Sequence, residues 1–157
     1  MSQEPSVVSQ PMFLGPGEGR RVQIRDTKTT TFKITGAATD GRFELFEHRM
    51  APGASGASPH FHKEMIEMFY VVQGEVEFVL GDDKRVGTPG TFLFVPEYVP
   101  HGFDNVGQTD AVILIMFCPA NGREKYFEGL GELTKDGRSP SLGELVELME
   151  RFDQYLV

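Results

Sequence analysis

A single cysteine in 157 residues excludes two kinds of architecture at once. A lone thiol cannot close an internal disulfide, and it cannot build a thiolate metal site. Cys118 ends an apolar run, where its ordinary reading is a small buried side chain. That run, Ala111 to Cys118, is the longest in the chain and falls far short of the ~20 residues a membrane-spanning helix needs. Basic residues are also scarce. Lys and Arg number 15 against 23 Asp and Glu, for a net charge of −8. No basic block is dense enough to follow a phosphate backbone, so neither nucleic acid nor an anionic membrane is an expected partner. The opening MSQEPSVVSQPM has no basic stretch followed by an apolar one, so no signal peptide is expected and the cytoplasm is the expected compartment. No glycine-rich phosphate loop precedes a helix, and no serine nucleophile motif is present. Phosphoryl transfer and serine hydrolysis are set aside.

What is present is an ordinary globular composition, 39% hydrophobic and 24% charged, at a length that suits one domain spanning 1–157. Residues 1–20 read as an arm, because Pro5, Pro11, Pro16 and several glycines interrupt any regular structure. From 21 to 119 the texture is β. Thr29–Ile34 is rich in β-branched residues. Arg42–Met50 alternates, with Phe43 and Leu45 on one face and Phe46 and His48 on the other. Met68–Gln73 and Glu75–Leu80 flank Gly74, Gly81-Asp82-Asp83 makes a turn, and Thr91–Val95 follows Pro89-Gly90. Ala111–Cys118 is apolar on both faces, as in a strand covered on each side. Many short, closely spaced strands predict an all-β sandwich or barrel. Residues 120–157 change period. A helix is expected over Arg123–Leu133. A second begins at Ser141, where Ser141 and Glu144 form a capping box, and presents Leu142, Leu145, Val146, Met149 and Phe152 on one face.

Three of the four histidines join a carboxylate in one pattern. His60 and His62 are two apart, so on a strand both imidazoles point the same way. Glu67 leads an apolar row with Phe69 and Val71, and an ionised carboxylate in such a row is costly unless it is paired or metal-bound. His101 lies far along the chain, where only a folded β-structure brings it to the others. Three imidazoles and one carboxylate suit one divalent transition metal ion: Fe, Ni, Mn, Co or Zn. Calcium and magnesium call for more oxygen ligands. His48 reads as a satisfied or exposed histidine, Lys63 and Glu64 as solvated loop charges, and Met50, Met65 and Met68 as core fillers. Phe69 and Phe103 share the faces of Glu67 and His101 and are expected to wall a small-molecule pocket. Phe78 is assigned to the same lining.

The spacing resembles the cupin superfamily. Its first motif, G(X)5HXH(X)3,4E(X)6G, is met by His60, His62, Glu67 and Gly74, with Ala54 in place of the leading glycine. Its second, G(X)5PXG(X)2H(X)3N, is met by Gly90, Pro96, His101 and Asn105, with Tyr98 in place of the inner glycine. The resemblance implies a cupin β-barrel, a jelly-roll-like double sheet, with the metal on His60, His62, Glu67 and His101. A side chain at a glycine position carries a steric cost. The turn at Tyr98 is therefore expected to take another shape, with the ring at the barrel mouth and in the substrate pocket. Small cupins commonly pair, so a homodimer is expected by analogy.

The segment after Pro119 is similar to that of small single-barrel cupins related to quercetin 2,3-dioxygenase. This likeness implies a metal-dependent dioxygenase of an aromatic or polyketide-like compound, with Glu67 as both ligand and acceptor of the substrate's proton. A metal-dependent cyclase, isomerase or lyase that uses no dioxygen is the second reading. A metal-bearing small-molecule-binding barrel without catalysis is the third.

Overall fold

The computed structural model describes residues 7–157, so the first six residues of the expected arm lie outside the described residues. In chain order the strands are β1 (Arg20–Ile24), β2 (Lys28–Ile34), β3 (Glu44–Met50), β4 (Ser55–Phe61), β5 (Ile66–Gln73), β6 (Val76–Leu80), β7 (Asp83–Gly87), β8 (Phe92–Val95), β9 (His101–Asn105) and β10 (Ala111–Cys118). Helices α1 (Arg123–Leu133) and α2 (Leu142–Arg151) follow, and a short β11 (Tyr155–Leu156) ends the chain. One sheet has the order β1-β2-β3-β10-β5-β8 and the other β11-β4-β9-β6-β7. Every pairing is antiparallel. The two sheets face each other as a cupin β-barrel.

Period-2 patterning produces this closure. On β3, Glu44, Phe46, His48 and Met50 are buried and the residues between them are not. On β5, Glu67, Phe69 and Val71 are buried in the same way. Central β10 is buried along its inner row, while Leu114, Met116 and Cys118 on its outer row are only half-buried, so that strand is not fully covered on both sides. Gly74 shows why one motif glycine is required. Its φ is +81°, and a Cβ there would stand 2.6 Å from the Asp110 carbonyl oxygen. Asn105 ties the far end of β9. Its Nδ2 donates to the carbonyls of Met50, Ala51 and Thr109, and its Oδ1 accepts from Gly107 N–H.

The C-terminal segment caps the barrel. Phe127 of α1 sits edge-on to Phe46 at 4.9 Å between ring centroids, and Phe46 in turn meets Phe32 and Phe117. Burying a phenylalanine this way is worth roughly 1.5–3 kcal/mol. The capping box at Ser141 and Glu144 is formed. The apolar face of α2 differs from expectation, because Leu142 is exposed and Leu148 is the buried residue. Leu148 fills the notch left by Gly129, where a Cβ would stand 2.7 Å from it. The rest of the expected stripe, Leu145, Val146, Met149 and Phe152, is half-buried, and Met149 and Phe152 pack against the core.

Glu44 fixes the start of the cap. Its fully buried carboxylate accepts from Asn121 N–H at 2.9 Å and from Arg123 N–H at 3.2 and 3.3 Å. These donors lie at the N-terminus of α1, which favours negative charge. Burial nevertheless dominates and raises the carboxyl from 4.5 to about 7. The folded-state value lies above the unfolded one. The Glu44 contribution to stability is therefore fully present below about pH 4.5 and lost as the pH rises through about 7. Glu44→Gln should remove that loss. Unfolding free energies of the two proteins, measured by urea titration across this range, should diverge with pH, and parallel curves would contradict the assignment.

Candidate metal centre

The four side chains singled out by spacing come from both sheets. His60 lies on β4, opposite His101 at the start of β9. His62 follows the end of β4. Glu67 projects from β5 of the facing sheet, between Val95 on β8 and Phe117 on β10. All four are at most 3% exposed. One donor atom from each lies within 4.8 Å of the others.

Backbone carbonyls orient the rings. The Nδ1 atoms of His60, His62 and His101 lie 2.7, 2.6 and 2.9 Å from the carbonyl oxygens of Ser58, Asp153 and Val99. A carbonyl only accepts, so each Nδ1 carries a proton and donates it. Each Nε2 is then left to face inward. The Nε2 atoms of His62 and His101 approach the same oxygen, Glu67 Oε2, at 2.9 and 2.5 Å. Neutral imidazoles would set bare lone pairs against an anionic oxygen, which repels. A cation has to sit between them, either as a proton on an imidazole or as a metal ion.

In the protein alone a proton does part of this. Burial acts to lower His101, but the Glu67 charge and hydrogen bond outweigh it and raise the imidazole. Burial acts to raise Glu67, but the His101 charge, with hydrogen bonds from His101 and His62, holds the carboxyl well below its usual range. His60 behaves differently. Burial brings it down to about 3 against the pull of Glu67, so its inward nitrogen is an unprotonated buried lone pair. Convergent imidazole nitrogens, each ring held by a backbone carbonyl, and one ionised carboxylate are the donor set of a divalent transition metal. The residues fit such an ion.

The C-terminal residues are built into this centre, which the sequence reading did not find. Asp153 takes a positive φ of 58°. Its carbonyl holds His62, while its carboxylate accepts Lys63 N–H and Glu64 N–H at 3.0 and 2.9 Å. β11 then pairs with β4 at His60 and Phe61. The Asp153 carboxylate thus pins the loop that leads from His62 to Glu67.

A cavity of about 40 Å³ adjoins the cluster, walled by His60, Glu67, His48, Lys28, Phe103, Phe117 and the α1 residues Arg123 and Tyr126. A groove of about 260 Å³ lies against it and shares Lys28, Gly56, Ala57 and Tyr126 as walls. Phe103 is on the cavity wall. Phe69 and Phe78 pack behind it, with ring centroids 5.4 and 6.4 Å from that of Phe103. Tyr98 is elsewhere. Its φ is +66°, so the turn keeps the left-handed conformation that glycine would supply, contrary to expectation. Its N–H donates to the His62 carbonyl at 2.7 Å. Its ring is 64% exposed and stacks on Phe61 on the outer side of β4.

His48 is buried, with Nδ1 2.8 Å from Thr30 Oγ1, and burial together with the Lys28 charge holds it down to about 3. It is the satisfied core histidine that was expected, and it also forms part of the cavity wall. Lys28, Arg123 and Tyr126 were not singled out from the sequence. A signal existed for Lys28, which leads the row of Thr30 and Phe32 on a strand whose alternate residues turn inward. Arg123 gave none, since a cation in the first turn of a helix is ordinarily solvated.

Residues 46–117 match the Cupin domain family. No curated protein matches the chain. Among solved structures, a predicted oxalate decarboxylase from Thermotoga maritima is similar at 19% identity with a TM-score of 0.64, covering 69% of this chain and 99% of that one. An RmlC-like cupin from Shewanella frigidimarina is 23% identical with a TM-score of 0.60, covering 74% and 96%. KdgF from Halomonas sp. is 22% identical with a TM-score of 0.60, covering 69% and 94%. The family match covers the central strands of the barrel, and these structures share its fold. Among the described residues no helix is long and apolar enough to cross a membrane.

Removing one ligand should empty the centre without unfolding the barrel. His101→Ala is expected to lower bound metal by tenfold or more, in line with the ~10–100-fold lost when only an outer partner of a ligand is removed. Its circular dichroism should stay unchanged. Elemental analysis of protein purified without an affinity tag checks this, and full metal content in the variant would show that His101 is not a ligand.

Proposed function

We propose that this chain is a metal-dependent enzyme acting on a small organic molecule bound in the cavity beside His60 and Glu67. His60, His62, Glu67 and His101 would hold the metal. A divalent ion there would supply a Lewis acid for a substrate oxygen.

The observation that carries this reading is the placement of Glu67. Both of its hydrogen bonds fall on Oε2, and the side chain forms part of the cavity wall. The imidazoles keep the carboxylate ionised, so it is in the proton-accepting form, with Oε1 free of those bonds. We assign it the role of taking a proton from an enol, a phenol or a carbon next to a carbonyl. His60, His62 and His101 keep their orientation through this step, because their outward N–H groups are tied to backbone. Phe103 and Phe117 keep water from the reacting end.

A dioxygenase of an aromatic or polyketide-like compound is favoured by the aromatic walls, Phe103, Phe117, Tyr126 and Phe127. About 40 Å³ holds only a few water-sized groups, so a larger substrate would extend into the adjoining groove. A cyclase, isomerase or lyase uses the same base without dioxygen, and the charged residues of the cavity favour a small acid for it. The names of the similar structures point to different chemistries, and fold alone does not choose among them. Pairing into a homodimer belongs to the same proposal. Exposed Tyr70, Phe92 and Phe94 on the outer face of β5 and β8 offer apolar surface for it.

The test is turnover of a panel of phenols, 1,3-diketones and short oxo acids by the metal-loaded protein, followed by proton NMR in air and under argon with an oxygen electrode. The proposal expects a chemical change in at least one class. Oxygen uptake coupled to it selects the dioxygenase, and equal anaerobic turnover selects the isomerase or lyase. Binding without any conversion, or protein that takes up no metal, would overturn the enzyme reading.

A further inference from the structure

The cavity beside the four-residue cluster is bordered by two cations, Lys28 and Arg123, that form no ion pair among the described residues. Arg123 is 3% exposed. One of its terminal nitrogens donates to the Phe152 carbonyl at 3.2 Å and the other to Gln154 Oε1 at 2.7 Å, both neutral acceptors. Its buried Nε has no hydrogen-bond partner. The guanidinium lies over the Tyr126 ring at 3.9 Å and the Phe117 ring at 4.8 Å. Lys28 reaches the same cavity from β2, and its ammonium donates to the Gly56 carbonyl at 3.3 Å. The one carboxylate on the cavity wall, Glu67, is already engaged by two imidazoles.

Two cations that form no ion pair, one of them buried with an unpartnered Nε, are costly to keep beside a largely apolar cavity. An anion placed between them offsets that cost and supplies the acceptor that Arg123 Nε lacks. We propose that Lys28 and Arg123 form an anion subsite in this cavity, and that its ligand is a small organic acid held by its carboxylate. Guanidinium and ammonium groups make their strongest hydrogen bonds to such oxyanions. The walls decide between an organic and an inorganic anion. Phe103 and Phe117 give an apolar surface that a bare phosphate or sulfate would not use, whereas the carbon chain of an acid would. The volume limits that chain to a few atoms unless it continues into the groove that Lys28 also borders. Burial and the Arg25 charge, against the opposing pull of Asp104, bring the Lys28 ammonium down to about 8, so it is mostly protonated at neutral pH. That the reactive carbon of this acid faces Glu67 rests on the functional reading above, whereas the subsite itself does not.

Pyruvate and pyruvamide share a shape and differ in charge, so they serve as probes. Dissociation constants are measured by ligand-observed NMR titration of the full chain, both metal-loaded and after chelator treatment. Pyruvate is expected to bind about tenfold or more tightly than pyruvamide. That preference should persist in metal-stripped protein, fall to within about twofold in Lys28→Met, and return in Lys28→Arg. Arg123→Met is expected to act like Lys28→Met if it folds, and the lysine pair decides the matter if it does not. Equal binding of the two probes, binding of neither, or a preference untouched by Lys28→Met would overturn the subsite. A preference that disappears with the metal would overturn it too, since the carboxylate would then sit on the ion. Charge preference without turnover or metal uptake would instead sink the enzyme reading and leave the subsite standing.

Discussion

One carboxylate oxygen buried between imidazoles is the constraint on which this molecule depends. Glu67 Oε2 meets the inner nitrogens of His62 and His101 where water cannot reach them. The carbonyls of Ser58, Val99 and Asp153 take the outer protons and leave the rings no other orientation. Such a cluster is stable only with positive charge inside it. Because the imidazoles come from one sheet and its flank and the carboxylate from the other, the cluster ties the two sheets together at this point. Residues far from the centre inherit their roles from it. Asn105 ties the end of β9, the strand that carries His101, and Gly74 lets the chain cross from β5 to β6 of the facing sheet after delivering Glu67.

The cap imposes the second condition. α1 is held over the barrel at its first residue by Glu44 and along its length by Phe127 on Phe46. A helix fastened by a buried carboxylate and an aromatic cluster is a fixed wall, and the chamber beneath it is correspondingly small. Its chemistry is mixed. Phenylalanines share its walls with Lys28, His48 and Arg123. A molecule that fills it must therefore be part apolar and part charged, a narrower requirement than the metal cluster alone sets.

Much of this was legible in the sequence where a local rule governed. The HxH spacing, the carboxylate at the head of an apolar row and the distant His101 pointed to the cluster because strand alternation dictates side-chain direction. The span of α1 and the capping box of α2 followed from helix periodicity. Legibility ended where long-range packing decided. Strands β1 and β7 are short and polar, and only their neighbours make them strands. Leu148 rather than Leu142 is buried because Gly129, on another helix, leaves room for it. Tyr98 keeps a left-handed backbone because its N–H is bonded to the His62 carbonyl and its ring has a surface partner in Phe61. Arg123 is buried by aromatic rings from β10 and α1 and by acceptors near the chain end, none of which its own neighbours reveal.

Asp153 stands 91 positions beyond the histidine that it orients. During synthesis the ribosome releases the HxH strand, the carboxylate strand and the last histidine strand well before this clamp exists. A nascent barrel therefore displays a His62 ring that is still free to turn, while His60 and His101 already have their carbonyl partners. A donor set aimed to chelate would arrive only with α2 and the strand behind it. Orientation of the full donor set is thus tied to synthesis of the Asp153 segment, and a product that stops short of it would compete poorly for scarce ions.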